Sequence, residues 1–406
     1  MQTKEKTKTW LLRRHRIITA LLRPFISVYV RIAYGIRVEP FRPQSRRAYL
    51  VLLNHQTVFD QFFVGVSFNG PVYYVATEDI FSMGWVSSLI RWLVAPIPIR
   101  KQTTDISAVM TCIRVAREGG TIAMAPEGNR TYSGKTEYMN PAIAALARKL
   151  KLPIALYRIE GGYGVQPRWA DKLRRGKMRS YVAQVIEPEE YAAMTNDELL
   201  AAIRQGLYVN EACPGGTFKS RHRAEYLERA VYICPFCGFS KFESQGDHIS
   251  CTTCGKTATY GEDKRLTGQG FDFPFPYVND WYLYQEDYVN QLDTRLHTEA
   301  PLFRDEAALS EVIVYQNKNL LRPKAKLALY GNRITVDEDG ENPIIFPFEE
   351  LEAVTVLGKN KLNIYHGKQV YQLKGDKRFN ALKYVHIFYR HRNIIRGEET
   401  SRFLGL

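Results

Sequence analysis

A histidine and an aspartate lie five residues apart in the stretch NHQTVFD, which covers residues 54–60. The preceding letters, AYLVLLN, predict a buried strand, and the following TVFDQFFVGVSF favours the start of a helix. His55 would then lie at a strand end and Asp60 about one turn into a helix, where the corner can fold the carboxylate back toward the imidazole. A general base and the acid that orients it need this geometry. The alternative is a polar loop in which the two residues occur by chance.

A second polar cluster, APEGNRT, follows the strand-like run TIAM, and the run PIPIR lies between the two clusters. Four of these residues would lie near predicted strand ends: Arg100, Glu127, Gly128 and Arg130. In open α/β sheets such ends line the binding crevice. Taken singly, Arg100 and Arg130 are each best interpreted as a solvated surface charge. Together they suit an anion such as a phosphate group.

Residues 49–212 alternate short apolar strands with helical stretches. The strand-like runs are AYLVLLN, VYYVAT, APIPIR, TIAMAPEG, LPIALYRI and YVAQVI. The helix-like runs are VSSLIRWLV, ISAVMTCIRVARE, NPAIAALARKL and NDELLAAIRQGLY. This alternation predicts an α/β domain in which a central sheet is covered by helices.

Positive charge is concentrated at the N-terminus. The chain has a net charge of +14, and residues 1–50 contain twelve Lys or Arg against two Glu. A membrane span needs roughly 20 apolar residues in a row, and Arg23 and Arg31 interrupt every candidate run, so we expect no span. The short apolar run ITALL also argues against a secretory signal.

The same segment has the pattern of a helix that lies on a surface. At about 100° per residue, one face carries apolar side chains: Leu11, Ile18, Leu22, Phe25 and Tyr29. Most arginines fall on the opposite side, and Pro24 predicts a kink or a division of the helix. We expect residues 1–48 to form basic amphipathic helices at an anionic membrane interface. The alternative is a helix packed on the protein's own core.

Two C-x-x-C pairs hold four of the cysteines: Cys234, Cys237, Cys251 and Cys254. Thirteen residues separate the pairs, and a glycine follows each pair. This is the spacing of a four-cysteine zinc ribbon, so residues 228–260 predict a structural zinc site with no open position for catalysis. Two disulfides or a redox site are the alternatives. Reduced thiolates would favour the cytosolic side of a membrane.

The chain changes character again near residue 309. Short strand-like runs follow, separated by turn signals: VIVYQ, KLALY, RITVDE, PIIFPFEE, LEAVTVL, KLNIYH and QVYQLK. A helix-like RFNALKYVHIFYRHR comes last. We expect residues 309–406 to form a mostly β domain with a closing helix, which resembles a pleckstrin-homology-like module in topology. Residues 261–308 favour a connecting helical segment.

NHQTVFD matches the N-H-x-x-x-x-D block of the glycerolipid acyltransferases, the family of 1-acyl-sn-glycerol-3-phosphate acyltransferase. PEGNRT resembles that family's PEGTR block, PIPIR its Arg-ending second block, and LPIALYRI its apolar fourth block. The blocks occur in order, and the resemblance covers residues 25–210. Ala125, Asn129 and Leu156 differ from the family pattern, and these differences leave every catalytic group in place.

The resemblance implies that His55 is the general base and that Asp60 is its partner. It also implies a phosphate-binding set for the acceptor: Arg100, Glu127, Gly128 and Arg130. Neutral His55 would take the proton of a glycerol hydroxyl as it attacks an acyl carbonyl, and Asp60 would stabilise the imidazolium. Backbone amides near Gly128 or the His55 corner are the expected oxyanion donors. No G-x-S-x-G motif occurs, and Cys112 lies in a helical stretch without a His partner, so we expect no covalent acyl-enzyme. We also expect that catalysis needs no cofactor.

We therefore expect a peripheral, monotopic enzyme on the cytoplasmic face of a membrane. It would transfer a fatty acyl group from acyl-CoA or acyl-carrier protein to the free hydroxyl of lysophosphatidic acid, giving phosphatidic acid. The alternatives are another lysophospholipid or a glycolipid as the acceptor, and a catalytically inactive lipid- or protein-binding scaffold. The loop GFSKFESQGDHIS between the cysteine pairs is not notably basic, which argues against nucleic-acid binding.

Overall fold

The computed structural model describes residues 9–44, 47–99, 105–212, 215–313 and 316–405. Its first half is an α/β domain, as predicted. Seven strands form the sheet: β1 (Ile36–Val38), β2 (Leu50–Leu53), β3 (Val72–Thr77), β4 (Ile97–Ile99), β5 (Thr121–Met124), β6 (Ile154–Glu160) and β7 (Met178–Ile186). The helices of this half are α1 (Arg13–Tyr34), α2 (Asp60–Ser67), α3 (Trp85–Val94), α4 (Ile106–Arg117), α5 (Ala142–Leu150), α6 (Gly162–Val165), α7 (Pro188–Ala192) and α8 (Asn196–Leu207).

The central position of β2 explains how the sheet fixes the residues that follow it. The strand order is β1-β7-β6-β2-β5-β3-β4, and β2 runs parallel to both β5 and β6. Leu50 and Leu52 belong to one hydrophobic core, and Val51 and Leu53 belong to another. Because successive side chains of a strand point to opposite faces, β2 is held by packing on both sides. The loop that follows the C-terminal end of β2 therefore begins at a residue that is fixed by packing.

The N-terminal helix α1 is continuous over 22 residues and contains Pro24, so it is not divided at the proline. Pro24 lies on the exposed side, where its missing N–H is tolerated best. Arg23 faces the protein, because its Nε donates to the carbonyl of Val66 at 3.0 Å. By length and composition alone, α1 is long and apolar enough to cross a membrane. The expected exclusion of a span by Arg23 and Arg31 therefore does not hold.

The two cysteine pairs lie among short strands. These are β8 (Ile233–Cys234), β9 (Gly238–Phe239), β10 (Phe242–Gln245), β11 (His248–Cys251), β12 (Thr257–Tyr260) and β13 (Leu266–Gly268). β8 and β9 form a small hairpin, and β10 to β13 form an antiparallel sheet. Helix α9 (Val278–Gln291) follows and packs on this unit, with Trp281 donating from Nε1 to the carbonyl of Ile233 at 2.7 Å.

The C-terminal region is mostly β with a closing helix, as predicted. It contains β14 (Phe303–Glu311), β15 (Asn319–Leu329), β16 (Arg333–Val336), β17 (Ile344–Pro347), β18 (Ala353–Leu357), β19 (Lys361–His366), β20 (Gln369–Gly375) and α10 (Leu382–Ile395). The sheet order is β17-β16-β15-β14-β20-β19-β18. The first strand begins at Phe303 and ends before the predicted run VIVYQ, of which residues 314 and 315 lie outside the described residues. Its polar sequence, FRDEAALSE, gives little apolar signal. The likeness to a pleckstrin-homology-like module stays a prediction.

The unit of β8 to β13 that contains the cysteine pairs, called the ribbon below, shares one hydrophobic core with α9 and the C-terminal sheet. Tyr132, Tyr163 and Trp169 of the α/β domain belong to this same core. Tyr132 also stacks on Tyr282 of α9, with ring centroids 6.3 Å apart. These three α/β residues follow the C-terminal ends of β5 and β6, so the second half of the chain packs against the same edge of the sheet at which β2 ends.

Candidate active site

His55 and Asp60 form a hydrogen-bonded pair just beyond β2. Nδ1 of His55 lies 2.8 Å from Oδ2 of Asp60. Because a carboxylate only accepts, Nδ1 donates in this pair, and in the neutral ring Nε2 carries the lone pair. The Asp60 side chain is buried, whereas that of His55 is 29% exposed. A buried carboxylate that orients an accessible imidazole suits proton removal from a bound molecule.

Asp60 is the first residue of α2, whereas the sequence predicts it about one turn into the helix. The difference arises because residues 54–59 form a loop that wraps around the Asp60 carboxylate. The carboxylate accepts from the amides of Gln56 at 2.7 Å and Thr57 at 2.9 Å, and from the Thr57 hydroxyl at 2.7 Å. A negative group is also stabilised at a helix N-terminus. The loop therefore holds the Asp60 carboxylate in place, and the carboxylate in turn orients the His55 ring.

Asn54 ties this loop to the neighbouring strand β6. Its Nδ2 donates to the carbonyl of Ile159 and its Oδ1 accepts from the Ile159 amide, both at 2.8 Å. The side chain is fully buried, so both bonds are shielded from water. The sequence shows Asn54 next to His55, but no pattern in one sequence assigns it this role.

Glu127 holds the backbone of His55 from the β5 side. Its Oε1 accepts from the His55 amide and its Oε2 from the Glu137 amide, both at 2.9 Å. Burial raises the pKa of Glu127 to about 8, while the two amide donors act in the opposite direction. Both carboxylate oxygens are thus engaged by the protein, although the sequence predicts Glu127 as a phosphate-binding residue.

Gly128 and Arg130 complete the predicted cluster. Gly128 has φ +69°, and a Cβ there would meet nothing within 4 Å, so the backbone conformation is what favours glycine. Arg130 is buried, and its Nη1 has no hydrogen-bond partner within the described residues. Burial and the charge of Arg168 lower the pKa of Arg130 to about 10. The guanidinium therefore stays protonated near neutral pH.

Arg168 is a site residue that the sequence does not reveal. Its Nη1 donates to the carbonyl of Arg130 at 2.7 Å and its Nη2 to Oδ1 of Asn129 at 3.2 Å. The guanidinium also lies over the Tyr132 ring, 4.2 Å from the centroid. Two buried arginines thus meet behind the PEGNRT segment, and neither shows a carboxylate contact in the described part of the chain. The other predicted arginine, Arg100, lies outside the described residues.

The backbone amides expected to stabilise an oxyanion already have acceptors. The Gly128 amide donates to the Ala125 carbonyl at 3.0 Å. The amides of residues 55–59 all donate within the protein, to Glu127, Asp60, Gln166 and the Thr57 hydroxyl. In this conformation the two expected sources of amide donors are occupied.

An exposed apolar surface lies beside the His55 loop. Phe59 packs its ring against Tyr34 and Tyr29 of α1, with centroids 5.4 and 5.8 Å apart. Exposed apolar side chains cover the outer faces of α1 and α3: Ile17, Leu21, Leu22, Phe25, Val28, Tyr29, Ile32, Trp85, Leu89 and Trp92. The two helices meet where the Arg14 guanidinium lies 5.4 Å from the Trp92 ring centroid. A patch of this kind marks an interaction surface.

The four predicted metal ligands come together. The ligand atoms of Cys234, Cys237, Cys251 and Cys254 all lie within 4.8 Å of one another. The sulfur atoms of Cys234 and Cys254 are 3.8 Å apart, and those of Cys237 and Cys251 are 3.6 Å apart. Tetrahedral zinc with Zn–S bonds of about 2.3 Å requires sulfurs about 3.8 Å apart, whereas a disulfide requires about 2.05 Å. The cluster can hold a metal ion, and its geometry does not fit two disulfides.

Fold and site together define an α/β domain that carries a His–Asp pair and buried arginines at the C-terminal edge of its sheet. Residues 36–159 match the model of the family described as Acyltransferase. The 1-acyl-sn-glycerol-3-phosphate acyltransferase of Bacillus subtilis (strain 168) is 21% identical over 136 residues, which are 34% of this chain and 65% of that protein.

A solved structure is also similar, that of the 1-acyl-sn-glycerophosphate (LPA) acyltransferase PlsC from Thermotoga maritima. It has 19% identity and a TM-score of 0.39 over 49% of this chain and 81% of that chain. The family match and the Bacillus relative support an acyltransferase domain in the first half of the chain. The chain covers less than two thirds of the Bacillus protein, and the cysteine cluster and the C-terminal sheet lie beyond the residues matched by the family.

Proposed function

We propose that the protein transfers a fatty acyl group from a thioester to the free hydroxyl of lysophosphatidic acid, giving phosphatidic acid. The observation that carries the proposal is the accessible His55, held by buried Asp60, together with buried Arg130, whose Nη1 has no hydrogen-bond partner among the described residues. The charge of Asp60 acts on the pKa of Arg130, so base and cation share one region. A base for the hydroxyl and a cation for the phosphate are what this acceptor requires.

In the proposed reaction Nε2 of His55 takes the proton of the acceptor hydroxyl as its oxygen attacks the thioester carbonyl carbon. Asp60 stabilises the imidazolium that forms. When the tetrahedral intermediate collapses, the C–S bond breaks and the imidazolium returns its proton to the leaving thiolate. Glu127 is a positioning residue in this scheme, because it holds the backbone amide of His55 at 2.9 Å.

Arg130 is proposed to bind the phosphate of the acceptor. A charged guanidinium that is removed from water without an anionic partner is costly, and a phosphate oxygen would supply that partner through a charge-assisted hydrogen bond. Gly128 is a proposed member of the same site, and nothing lies within 4 Å of the position that a Cβ would occupy there. Arg100 remains a proposed member of the phosphate site on its sequence position alone.

The apolar faces of α1 and α3 are proposed to lie at a membrane surface, with the protein peripheral on the cytoplasmic face. Aliphatic and aromatic side chains next to arginines suit the boundary of an anionic bilayer. Phe59 links this surface to the His55 loop, so a lipid acceptor would reach the base without leaving the interface. Acyl-CoA or acyl-carrier protein would supply the thioester from the water side.

The cysteine cluster is proposed to bind zinc in a structural role. Four thiolates leave no position open for a substrate, and the second half of the chain packs around them in one core. No step of the proposed acyl transfer uses the metal.

The test is acyl transfer by purified protein from labelled acyl-CoA and acyl-carrier protein to lysophosphatidic acid and to a matched acceptor that lacks the phosphate. Arg130→Met should raise the KM for lysophosphatidic acid about ten- to hundredfold, since a hydrogen bond to a charged group contributes about 1.5–3 kcal/mol. The phosphate-free acceptor should be unaffected. Exposed Arg117 on α4 provides the control variant, Arg117→Met. Equal effects on both acceptors would remove the phosphate role, and no transfer to any lysolipid would overturn the proposed function.

A further inference from the structure

The C-terminal sheet reaches back to the acyltransferase domain through the turn between β18 and β19. Nζ of Lys359 in this turn lies 2.8 Å from Oδ1 of Asp171. Asp171 also pairs with Nη1 of Arg229 at 2.8 Å. The side chain of Lys359 is 26% exposed and that of Arg229 only 2%. Of the two cations that share Asp171, the lysine is therefore the one that solvent or a ligand can reach.

The segment that carries Asp171 also carries the arginine behind Arg130. Arg168 donates to the Arg130 carbonyl, and the turn at residues 167–170 is closed by the Ala170 amide donating to the Pro167 carbonyl at 3.1 Å. Asp171 follows this turn directly. The charge of Arg130 is among the causes that lower the pKa of Lys359, after burial. Lys359, through Asp171, and Arg130, through Arg168, thus both contact residues of one short segment, 168–171.

Cations outnumber carboxylates among the direct contacts of this segment. Four cations are linked through it: Arg130, Arg168, Arg229 and Lys359. Within the described residues, Asp171 is the carboxylate that contacts any of them, and it is shared by two. Buried cations in excess require an anion to balance them. A group with two negative charges would balance this arrangement better than a group with one.

We propose that Lys359 is a specificity-determining residue of the acyl-acceptor site and that, with Arg130, it selects a phosphomonoester headgroup. The inference rests on the proposed function and deepens it. A phosphomonoester carries close to two negative charges near neutral pH. A phosphodiester lysolipid carries one and adds a bulky, often cationic, alcohol that the lysine would repel. The C-terminal sheet is then part of the active site.

The experiment compares Lys359→Met with Lys368→Met, an exposed lysine in the turn at the other end of β19. KM is measured for lysophosphatidic acid and for lysophosphatidylcholine, a phosphodiester. Lys359→Met should raise the KM for lysophosphatidic acid about ten- to hundredfold, the effect of losing one charge-assisted hydrogen bond. It should leave kcat unchanged, and the KM for lysophosphatidylcholine should stay the same or fall, because the repulsion of the choline is lost. Lys368→Met should change none of these values.

Asp171→Asn separates ligand binding from a merely structural ion pair. It removes the carboxylate but keeps the lysine, so the KM for lysophosphatidic acid should stay the same or fall. If Asp171→Asn raises this KM as much as Lys359→Met does, or if Lys359→Met affects both acceptors equally, the proposal is overturned.

A direct binding measurement distinguishes failure of this proposal from failure of the proposed function. Calorimetry would record the binding of sn-glycerol 3-phosphate to wild-type, Lys359→Met and Lys368→Met proteins. Weaker binding by Lys359→Met alone supports the lysine's role even if no acyl transfer is found. Equal binding by all three proteins, or transfer with unchanged KM in Lys359→Met, overturns the role of Lys359. Neither outcome contradicts the proposed acyltransferase function.

Discussion

The two halves of the chain organise their cores differently. In the α/β half, β2 separates two hydrophobic clusters, one on each face of the sheet. In the second half, the ribbon, α9 and the C-terminal sheet contribute to one large cluster, and a small separate cluster lies within the C-terminal sheet. The large cluster also takes in Tyr132 and Trp169 of the first half. The first half thus packs on both faces of β2, whereas the second half packs against loops of the first.

This difference divides the site into two parts. The base end depends on local contacts, since Asn54, His55 and Asp60 are held by residues of the α/β half. The phosphate end depends on both halves, because Asp171 is bound by Arg229 and Lys359 from beyond the α/β domain. A change at the base end should therefore affect chemistry alone, and a change in the second half should affect stability and acceptor binding together.

The largest effect is expected from His55→Ala. Loss of the general base should lower kcat at least about 100-fold, while the thermal unfolding curve stays the same because the side chain is partly exposed. The chain offers a matched control: His222 pairs with Glu225 on the surface, three residues away, and His222→Ala should leave kcat unchanged. Turnover retained by His55→Ala would exclude the general-base role.

The base end could be predicted from sequence because its geometry is local. The apolar run before Asn54 predicts the strand that is found there. One short loop after the strand then brings His55 and Asp60 into contact. The predicted strands and helices of residues 49–212 also coincide with observed elements, since each has a clear apolar period. The cysteine cluster could be predicted for the same reason, because its four cysteines form two short motifs within twenty-one residues.

The rest could not be predicted, because it depends on contacts between distant segments. Arg168 and Lys359 belong to no motif and are 191 positions apart in the sequence. Strand β14 has a polar sequence and is a strand because β15 and β20 pair with it on both sides. Helix α1 continues through Pro24, and Arg23 next to it contacts α2 through the Val66 carbonyl. Tertiary contacts override local preference in each case.

The next largest effect is expected from Cys234→Ser, which tests whether the second half supports the first. The variant should lose bound metal and about 4 kcal/mol or more of unfolding free energy, as expected for loss of a structural metal site. Because Tyr132 shares the core with the ribbon, acceptor KM should rise as well. Metal content by mass spectrometry and chemical unfolding would be measured. Cys112→Ala, in α4 of the other half, should keep its metal. Equal metal content in both variants would refute the site.

The smallest effect is expected from Glu286→Gln in α9. The matched comparison is Glu127→Gln, which changes the same kind of side chain beside His55. Burial raises the pKa of Glu286 to about 8 from the usual 4.5, and the charges of Glu137 and Asp287 add to it. The folded state therefore holds this proton more tightly than the unfolded state does. The unfolded state loses its proton first, so the free energy of unfolding should fall as pH rises from about 4.5 to about 8.

Glutamine cannot titrate, so Glu286→Gln should remove this part of the pH dependence. The variant should match the wild type near about pH 4 and exceed it in stability by a few kcal/mol at most above about pH 8. Its kcat should not change, because Glu286 has no contact with the His55 loop among the described residues. Glu127→Gln removes the same kind of carboxyl, but it would place an amide NH₂ against the backbone N–H of His55 or Glu137. That variant should lose activity together with the pH dependence. If the two variants have the same effect on kcat, the division between a base end held locally and a second half that acts through stability and binding does not hold.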